Sequence, residues 1–534
     1  MDSSLNPKNL IKYLYQKANY YLAHQQFDEA VSVCLVALNI DSEYAPICQT
    51  LGSIWQAQRD FEQAEFWYKK GLKLKPNYAE VYGSLGDIYS QKQDFETAIS
   101  NYKKSIELNP NVAVIYRNLA QVLHQVNRDE EADIFWDKAF HLEPNLGTFT
   151  EHLDLGNRLF QKQEIESAIF CYKNAIQANP NGSEAYHNLG EAYRQLQQWD
   201  LAIEAYHKAI ESNHLQFQSY MALGNIYKDL GKWETAIQAY QRVIEFNPNA
   251  YLPHFQIAEI KFKLQQWDAA LTAYQEALKL EDKNPFIYLS LSRAYSYKKQ
   301  WEEAIAASRK AIELNPDLPH SYTHLGNFLS EIGEVETAIQ AHQKSHQLRG
   351  WSRSLEKNYH FTKDWFSVNI PYWEKVLHAL ANLPGIQGLE IGSFQGMSAC
   401  WLLDQILTHP MAKMTCIDLS FRDEFDLNLV KTGVAEKVIK LEGYSQEILP
   451  TLPANTYDFV YIDGCHLASV VFQDALLSWE LLKPGGIMIF DDYEYRDPEH
   501  PEEDTRKGID QFLQTRSEPI KILHQAYQLM IQKP

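Results

Sequence analysis

The sequence has few cysteines, and none of them is closely paired. Its 534 residues include six cysteines, and no two of these form a C-x-x-C motif. A structural zinc site and a disulfide framework usually need cysteines at characteristic short spacings. We therefore expect neither, and the scattered thiols are typical of a protein from a reducing compartment.

The sequence also lacks an excess of basic residues, and it has no long hydrophobic run. The chain has 49 Lys and Arg against 69 Asp and Glu, a formal net charge of −20. This balance argues against a nucleic-acid or anionic-membrane ligand, because both require a basic surface. No apolar run approaches the ~18 residues of a membrane span, and the N-terminal sequence lacks an apolar signal-peptide core. We expect a cytoplasmic protein, and 45% hydrophobic residues exclude wholesale disorder.

A period of 34 residues runs through the first two thirds of the chain. Small residues recur at this interval, with a single longer step of 36 residues, and an alanine follows each of them twelve positions later. Prolines such as Pro76, Pro110 and Pro316 close many of the units. The small residues are Ala18, Gly52, Gly86, Ala120, Gly156, Gly190, Gly224, Ala258, Ser292 and Gly326.

This period predicts two antiparallel helices in each unit. The small residue would let the helices approach closely, and the proline would end the second helix. The pattern resembles the tetratricopeptide repeat (TPR), and the resemblance covers residues 11–352. The predicted repeats are 11–44, 45–78, 79–112, 113–146, 149–182, 183–216, 217–250, 251–284, 285–318 and 319–352.

The resemblance implies an α-solenoid whose concave groove holds a protein or peptide partner. A single helix pair cannot bury its apolar face alone, so neighbouring repeats must stack. The first helices would line the groove with Asn157, Asn188, Asn225 and Asn327. The alternative is that these asparagines are merely solvated. Basic residues in phase with them, as needed to clamp a C-terminal carboxylate, are not found.

Strands and helices alternate after an aromatic connector at residues 353–371. Apolar segments at 388–392, 414–419, 438–443, 457–463 and 485–492 predict five buried strands, and the last residues predict a closing hairpin. Such alternation indicates a parallel sheet covered on both faces. Ligands of these sheets bind at the carboxyl ends of the strands.

Four of these strand ends carry polar motifs. They are the segment Glu390–Ser398, the carboxylate Asp418, the segment Asp463–His466 and the pair Asp491-Asp492. The first contains G-x-x-x-G and not the G-x-G-x-x-G of dinucleotide sites, which disfavours a nicotinamide oxidoreductase.

The order of these motifs resembles the class I S-adenosylmethionine-dependent methyltransferases, over residues 372–534. That family has a Rossmann-like α/β domain with a mostly parallel seven-stranded sheet. The closest resemblance is to O-methyltransferases of the caffeoyl-CoA/catechol and macrocin types. It implies that Asp418 holds the ribose of S-adenosylmethionine, and that Gly443, Tyr444 and Ser445 contact its adenine. The other implied cofactor-binding residues are Glu390, Gly392, Ser393, Phe394, Gly396, Ser398 and Asp463.

The same resemblance implies a divalent metal such as Mg²⁺ on Asp463, Asp491 and Asp492. It implies His466 and Asp463 as catalytic residues, because His466, three residues after Asp463, takes the place of the family's catalytic lysine. Alternatively, the three aspartates are loop carboxylates or, for Asp463, a helix N-cap, and His466 is an ordinary helix-start residue. Cys465 stands where these families often have an acidic residue.

We therefore predict a methyltransferase that methylates a hydroxyl of a small molecule or sugar and docks a protein through its repeats. The alternative is a TPR interaction scaffold whose methyltransferase domain no longer catalyses. The replacement of a common acidic residue by Cys465 leaves this alternative open.

Overall fold

The computed structural model describes residues 7–213, 215–494 and 503–534. The chain divides into two compact units, Met1–Asn247 and Pro248–Pro534. The first consists of helix pairs, and the second combines further helix pairs with an α/β domain.

Seven helix pairs occupy the first unit. They are α1 (Pro7–Ala23) and α2 (Phe27–Ile40), α3 (Ala45–Ala57) and α4 (Phe61–Leu74), α5 (Ala79–Gln91) and α6 (Phe95–Leu108), α7 (Ala113–Gln125) and α8 (Asp129–Leu142), α9 (Phe149–Gln161) and α10 (Ile165–Ala178), α11 (Ser183–Gln195) and α12 (Trp199–Ser212), and α13 (Phe217–Asp229) and α14 (Trp233–Phe246).

Three more pairs begin the second unit, so the described residues form ten helix pairs. These pairs are α15 (Tyr251–Lys263) and α16 (Trp267–Leu280), α17 (Pro285–Tyr297) and α18 (Trp301–Leu314), and α19 (Pro319–Glu331) and α20 (Val335–Leu348). The prolines act as predicted: Pro76, Pro110 and Pro316 each follow the last residue of a second helix by two positions.

The small residue of each repeat makes room for a large ring on the second helix. A Cβ added to Gly190 would lie 2.6 Å from the ring of Tyr206, and one added to Gly86 would lie 2.5 Å from that of Tyr102. Both tyrosines are buried. In the last repeat the ring belongs to a histidine, since a Cβ on Gly326 would meet His342 at 2.4 Å.

The two-residue insertion after the fourth repeat forms a helix start. The short 3-10 turn Pro144–Leu146 precedes it. Thr148 then caps α9, because its hydroxyl accepts from the Glu151 N–H at 3.2 Å while the Glu151 carboxylate accepts from the Thr148 N–H at 2.9 Å.

The rest of the second unit is built on a seven-stranded sheet. The strands are β1 (Gln387–Ile391), β2 (Lys413–Asp418), β3 (Val438–Glu442), β4 (Tyr457–Ile462), β5 (Leu482–Phe490), β6 (Lys521–Gln525) and β7 (Leu529–Gln532). Their order is β3-β2-β1-β4-β5-β7-β6. The first five are parallel to their neighbours, and β7 is antiparallel to β5 and β6. The predicted mostly parallel, Rossmann-like sheet is confirmed.

Helices cover both faces of this sheet. The helices are α21 (Arg353–Glu356), α22 (Ile370–Leu377), α23 (Met397–Gln405), α24 (Asp423–Thr432), α25 (Ser445–Ile448), α26 (Ala468–Leu481) and α27 (Thr505–Gln514). On one face, Trp373 and Trp401 pack with Tyr461 of β4. On the other, Trp479 and Phe512 pack with Val460. Alternate residues of one strand thus enter different cores, as in a buried parallel strand.

The aromatic connector joins one of these two cores. Its residues Tyr359, Phe361 and Phe366, and Trp351 just before it, are buried in the same cluster as Trp401 of α23. The Trp351 indole N–H and the Tyr359 hydroxyl each donate to Asp404 Oδ2 at 3.0 Å. The connector is therefore packed against the α/β domain.

Candidate active site

A cavity of about 900 Å³ lies at the carboxyl ends of β1, β2, β4 and β5. The predicted site residues that line it are Gly392, Ser393, Phe394, Ser398, Asp418, Gly443, Tyr444, Ser445, Asp463, His466, Asp491 and Asp492. Motifs separated by up to a hundred residues in sequence thus meet in one pocket, as the topology of a parallel sheet requires.

The turn after β1, residues 392–396, forms one wall of this pocket. Gly392 has φ +84°, and a Cβ there would lie 2.1 Å from the Asp463 carbonyl oxygen. Gly396, with φ +76°, directly precedes α23. Both glycines adopt a left-handed backbone that other residues rarely tolerate. The turn therefore brings bare backbone and a helix N-terminus to the pocket. We call residues 392–396 the cofactor turn.

Glu390 lies behind this wall, and neither it nor Gly396 lines the pocket. Its side chain is fully buried, and its two carboxylate oxygens accept hydrogen bonds from the hydroxyls of Ser393 and Ser398. Burial raises the pKa of Glu390 to about 7, against the lowering effect of those hydrogen bonds. Glu390 thus orients two pocket-lining serines from within the core.

Asp418, at the end of β2, fixes the cofactor turn from the other side. Its Oδ2 accepts from the backbone N–H groups of Ser393 at 2.8 Å and Phe394 at 3.2 Å. Its Oδ1 accepts from the Ser420 N–H at the longer distance of 3.3 Å. A carboxylate held in this way at a pocket wall retains lone pairs with which it can accept further hydrogen bonds from a ligand.

A buried carboxyl group supports the segment that follows β3. Asp474 of α26 accepts from the Ser445 hydroxyl at 2.8 Å and from the Gln446 amide at 2.7 Å. Burial raises the pKa of Asp474 to about 6. Ser445 and Gln446 both line the pocket, so Asp474 sets their orientation.

Two of the predicted metal ligands share one tyrosine hydroxyl. Tyr461 Oη lies 2.8 Å from Asp463 Oδ2 and 2.8 Å from Asp491 Oδ2. A hydroxyl has one proton to donate, so both contacts can be hydrogen bonds only if one of the carboxyl groups is protonated. Burial and the charge of Asp491 raise the pKa of Asp463 well above its usual range, which fits this proton count.

The third predicted ligand is turned toward His466. Asp492 Oδ2 lies 2.6 Å from His466 Nδ1, and its Oδ1 accepts from the Tyr527 hydroxyl. The hydrogen bond to Asp492 raises the pKa of His466. This pairing orients the imidazole so that its Nδ1 faces the Asp492 carboxylate.

These contacts give the predicted Mg²⁺ site no support. Within residues 7–213, 215–494 and 503–534, no group of three or more His, Cys, Asp or Glu side chains is arranged to hold a metal ion. The physical reason is that Tyr461 occupies oxygens of two of the aspartates, while His466 and Tyr527 occupy those of the third. Among the described residues the three carboxylates therefore contact protein groups and form no shared cation site.

Some pocket residues were missed by sequence reasoning. The connector contributes Lys363, Trp365 and Phe366, and the hairpin between β6 and β7 contributes Tyr527. Trp365 is 68% exposed, which distinguishes it from the buried aromatics around it. The many aromatic residues of the connector indicated that it packs against another part of the chain. They did not indicate which ring faces the pocket.

Family models match both parts of the chain. A model described as a methyltransferase domain matches residues 389–493. Models of the tetratricopeptide repeat match residues 45–78, 86–127, 156–196, 183–214, 224–265, 255–319 and 308–340. This chain is a TPR array followed by a methyltransferase domain. The predicted TPR array and the presence of a methyltransferase domain are thereby confirmed.

Several solved structures are similar to the TPR–methyltransferase chain. MamA is 22% identical over 31% of this chain and 96% of its own, with a TM-score of 0.30. YrrB, described as a TPR protein with an unusual peptide-binding site, is 21% identical over 41% of this chain and 95% of its own, with a TM-score of 0.27. Yeast Tom70 is 15% identical over 70% and 97%, with a TM-score of 0.31.

No curated protein matches the TPR–methyltransferase chain. Among the described residues, no helix has both the length and the apolar character needed to cross a membrane.

Proposed function

We propose that the chain is an S-adenosylmethionine-dependent methyltransferase that transfers a methyl group to a hydroxyl of a small molecule or sugar. The observation that carries this proposal is the cofactor turn. Its left-handed Gly392 brings bare backbone to a large pocket, and Asp418 fixes the turn from the end of the neighbouring strand. A side chain at position 392 would clash with the backbone of Asp463 and Gly464, so glycine there lets the turn lie directly against the segment after β4 at the pocket.

Different residues of the pocket are proposed to bind different parts of the cofactor. Asp418 accepts hydrogen bonds from the ribose hydroxyls, and the segment Gly443–Gln446 faces the adenine. Ser393 and Ser398, oriented by Glu390, lie beside the methionine part. The bound cofactor supplies a methyl group already activated on a sulfonium.

His466 is the proposed general base. His466 would take up the proton that the acceptor hydroxyl loses when it is methylated. Asp492 stabilises the imidazolium that forms, since it already faces Nδ1 at 2.6 Å. The pocket must also hold the acceptor in line and exclude water.

The TPR array is proposed to dock a protein or peptide, as such repeats commonly do. Two of the expected groove asparagines bond each other, since the Asn188 amide donates to Asn157 Oδ1 at 2.7 Å. Asn225 accepts from the Tyr240 hydroxyl at 2.7 Å within its own repeat. Asn327, by contrast, forms hydrogen bonds with the backbone of the connector at Asp364. This contact supports the binding of a peptide backbone by the asparagines at the equivalent position of other repeats.

Methyl transfer from radiolabelled S-adenosylmethionine to a panel of sugars, phenols and catechols tests the proposal. We expect label on a hydroxyl oxygen of one acceptor class, and its loss in His466→Ala. Transfer only to nitrogen or carbon acceptors would contradict O-methylation. A protein that binds cofactor but labels no acceptor would instead favour the scaffold alternative.

A further inference from the structure

The last repeat holds the connector by its backbone. The Asp364 N–H donates to Asn327 Oδ1 at 2.9 Å, and the Asn327 amide donates to the Asp364 carbonyl at 3.4 Å. Asn327 lies on α19, the first helix of the tenth repeat. One side chain thus satisfies both backbone groups of a single residue, which fixes the position and direction of the connector at that point.

The side chain of Asp364 strengthens this attachment. It is buried, and it accepts from the Ser367 N–H at 2.9 Å and the Thr323 hydroxyl at 3.2 Å. Burial raises the pKa of Asp364, but the hydrogen bond and charge of His346 outweigh it and hold the pKa below its usual range. Asp364 is therefore a charged anchor on the tenth repeat at neutral pH.

The same connector is fastened to the cofactor turn two residues earlier. The Thr362 N–H donates to Gln395 Oε1 at 3.0 Å, and the Gln395 amide donates to the Thr362 hydroxyl at 2.8 Å. Asn428 of α24 adds a second attachment, because its amide donates to the carbonyls of His360 at 3.0 Å and Gln395 at 3.1 Å. Gln395 lies between the two residues, Phe394 and Gly396, that shape the end of the turn.

Between these two attachments stands a residue that lines the pocket. Lys363 contributes to the pocket wall, and its ammonium group pairs with Glu331 at the end of α19. The path from the repeat to the cofactor turn is thus continuous and short, running from Asn327 through Asp364, Lys363 and Thr362 to Gln395.

We propose that Asn327 is a positioning residue for the cofactor turn, so that the tenth repeat is a working part of the methyltransferase site. This inference rests on the proposed cofactor, because the turn is assumed to bind it. Loss of the Asn327 clamp removes both backbone hydrogen bonds of Asp364, which loosens the adjoining Thr362 and weakens its support of Gln395. A less ordered turn must be ordered on binding, which weakens affinity.

The test uses the full chain with S-adenosylhomocysteine as the probe. We expect Asn327→Ala to weaken binding in calorimetry by roughly fivefold, about what the loss of one or two modest hydrogen bonds would cause. Asn225→Ala is the matched control, since it removes the asparagine at the same position of an earlier repeat. Gln395→Ala should weaken binding as well, whereas Gln395→Glu, whose carboxylate can accept from both Thr362 groups, should retain most of it.

Hydrogen exchange without ligand tests whether Asn327 and the cofactor turn are coupled, independently of cofactor binding. Asn327→Ala should speed exchange at Asp364 and also at the amides of Ser393 and Gly396 in the cofactor turn, while Asn225→Ala changes neither. By linkage, S-adenosylhomocysteine should slow exchange at Asp364 in the unmodified chain.

The outcomes separate this inference from the proposed function. If the unmodified chain does not bind S-adenosylhomocysteine, the cofactor assignment fails, and the ligand-free exchange still decides whether the coupling exists. If the unmodified chain and Asn327→Ala bind equally well, and exchange in the turn is unchanged, the tenth repeat does not position the site.

Discussion

His466 and Asp492 form the pair in the pocket best suited to proton transfer. The contact of 2.6 Å between them joins a titratable ring to a carboxylate that the Tyr527 hydroxyl also contacts. The hydrogen bond to Asp492 raises the pKa of His466. A general base works only in its neutral form, so the acidic limb of the rate profile should lie above the ordinary histidine pKa of about 6.5.

We expect Asp492→Asn to lower the pKa of His466. The amide removes the negative charge that favours the imidazolium. An NMR titration of the His466 ring should show its midpoint above 6.5 in the unmodified chain and at lower pH in Asp492→Asn. Tyr527→Phe is the control, because it removes a neighbour of Asp492 and leaves the carboxylate. An unchanged midpoint in Asp492→Asn would contradict the assigned pair.

The contacts of the three aspartates lead us to expect catalysis without an added divalent ion. Tyr461, His466 and Tyr527 already engage their oxygens. Once an acceptor is known, its methylation should change less than about twofold on treatment with EDTA, because no carboxylate has to exchange a protein partner for a cation. Loss of turnover with EDTA and its recovery with Mg²⁺ would show that the three carboxylates rearrange around a metal.

At the scale of the helix pair, the packing of a ring against a small residue controls stability. We expect Gly190→Ala to destabilise the chain by about 1–3 kcal/mol, since its Cβ would lie 2.6 Å from Tyr206. Gly71→Ala is the matched control. Its Cβ would meet Cys48 at 3.5 Å, an ordinary contact, so the helical preference of alanine should make this change neutral or stabilising by about 0.5–1 kcal/mol. Chemical denaturation of both variants measures the difference, and equal losses of stability would contradict the ring-packing account.

The tenth repeat should make the chain sensitive to acid. Burial lowers the pKa of His342 to about 4 and that of His324 to about 3. An unfolded histidine titrates near 6.5, so from that pH downward the unfolded state binds more protons and stability falls. This loss continues until the folded pKa values of about 4 and 3 are reached.

The variant His342→Tyr tests this acid sensitivity. Tyrosine is the residue that other repeats, such as those of Tyr102 and Tyr206, carry at this position, so the packing should be preserved. Thermal unfolding followed from pH 7.5 to 4.5 should show a smaller drop in Tm for His342→Tyr than for the unmodified chain. Identical drops would mean that other groups cause the acid sensitivity.

Elements governed by a local pattern could be predicted from the sequence. The spacing of small residues gave the helix pairs, and apolar runs gave the five parallel strands within a few residues of their observed ends. Strand-end motifs such as Asp418 were predicted for the same reason, since topology alone brings them together. Helices α22 and α24 were missed, although the buried Ile370, Trp373 and Leu377 of α22 have the spacing of one helix face.

Residues placed by tertiary contacts could not be predicted in the same way. The sequence indicates only that Tyr461 belongs to a buried strand. In the structure its hydroxyl contacts both Asp463 and Asp491. Nothing in the sequence around Lys363 and Trp365 shows that the connector forms a pocket wall. The predicted metal site lacks support at this level: carboxylates at adjacent strand ends were expected to meet a cation, and in the described residues neighbouring side chains contact them.

On the scale of the whole molecule, the last three repeats belong to the compact unit that contains the methyltransferase domain. The proposed boundary between array and connector at residue 352 follows the repeat pattern, whereas the compact units divide at Asn247 and Pro248. We expect a fragment of residues 248–534 to fold and to bind S-adenosylhomocysteine as tightly as the full chain, within about twofold, because repeats stabilise mainly their neighbours. Calorimetry on the fragment checks this, and a much weaker affinity would mean that earlier repeats contribute to the site.

The central claim is that the pocket binds S-adenosylmethionine through the cofactor turn and Asp418. The most direct measurement is calorimetric titration of the full chain with S-adenosylhomocysteine and, separately, with NADH. The account predicts one S-adenosylhomocysteine site, little affinity for NADH, and a strong loss of S-adenosylhomocysteine affinity in Asp418→Ala. Tight NADH binding without S-adenosylhomocysteine binding, or an affinity unchanged by Asp418→Ala, would contradict it.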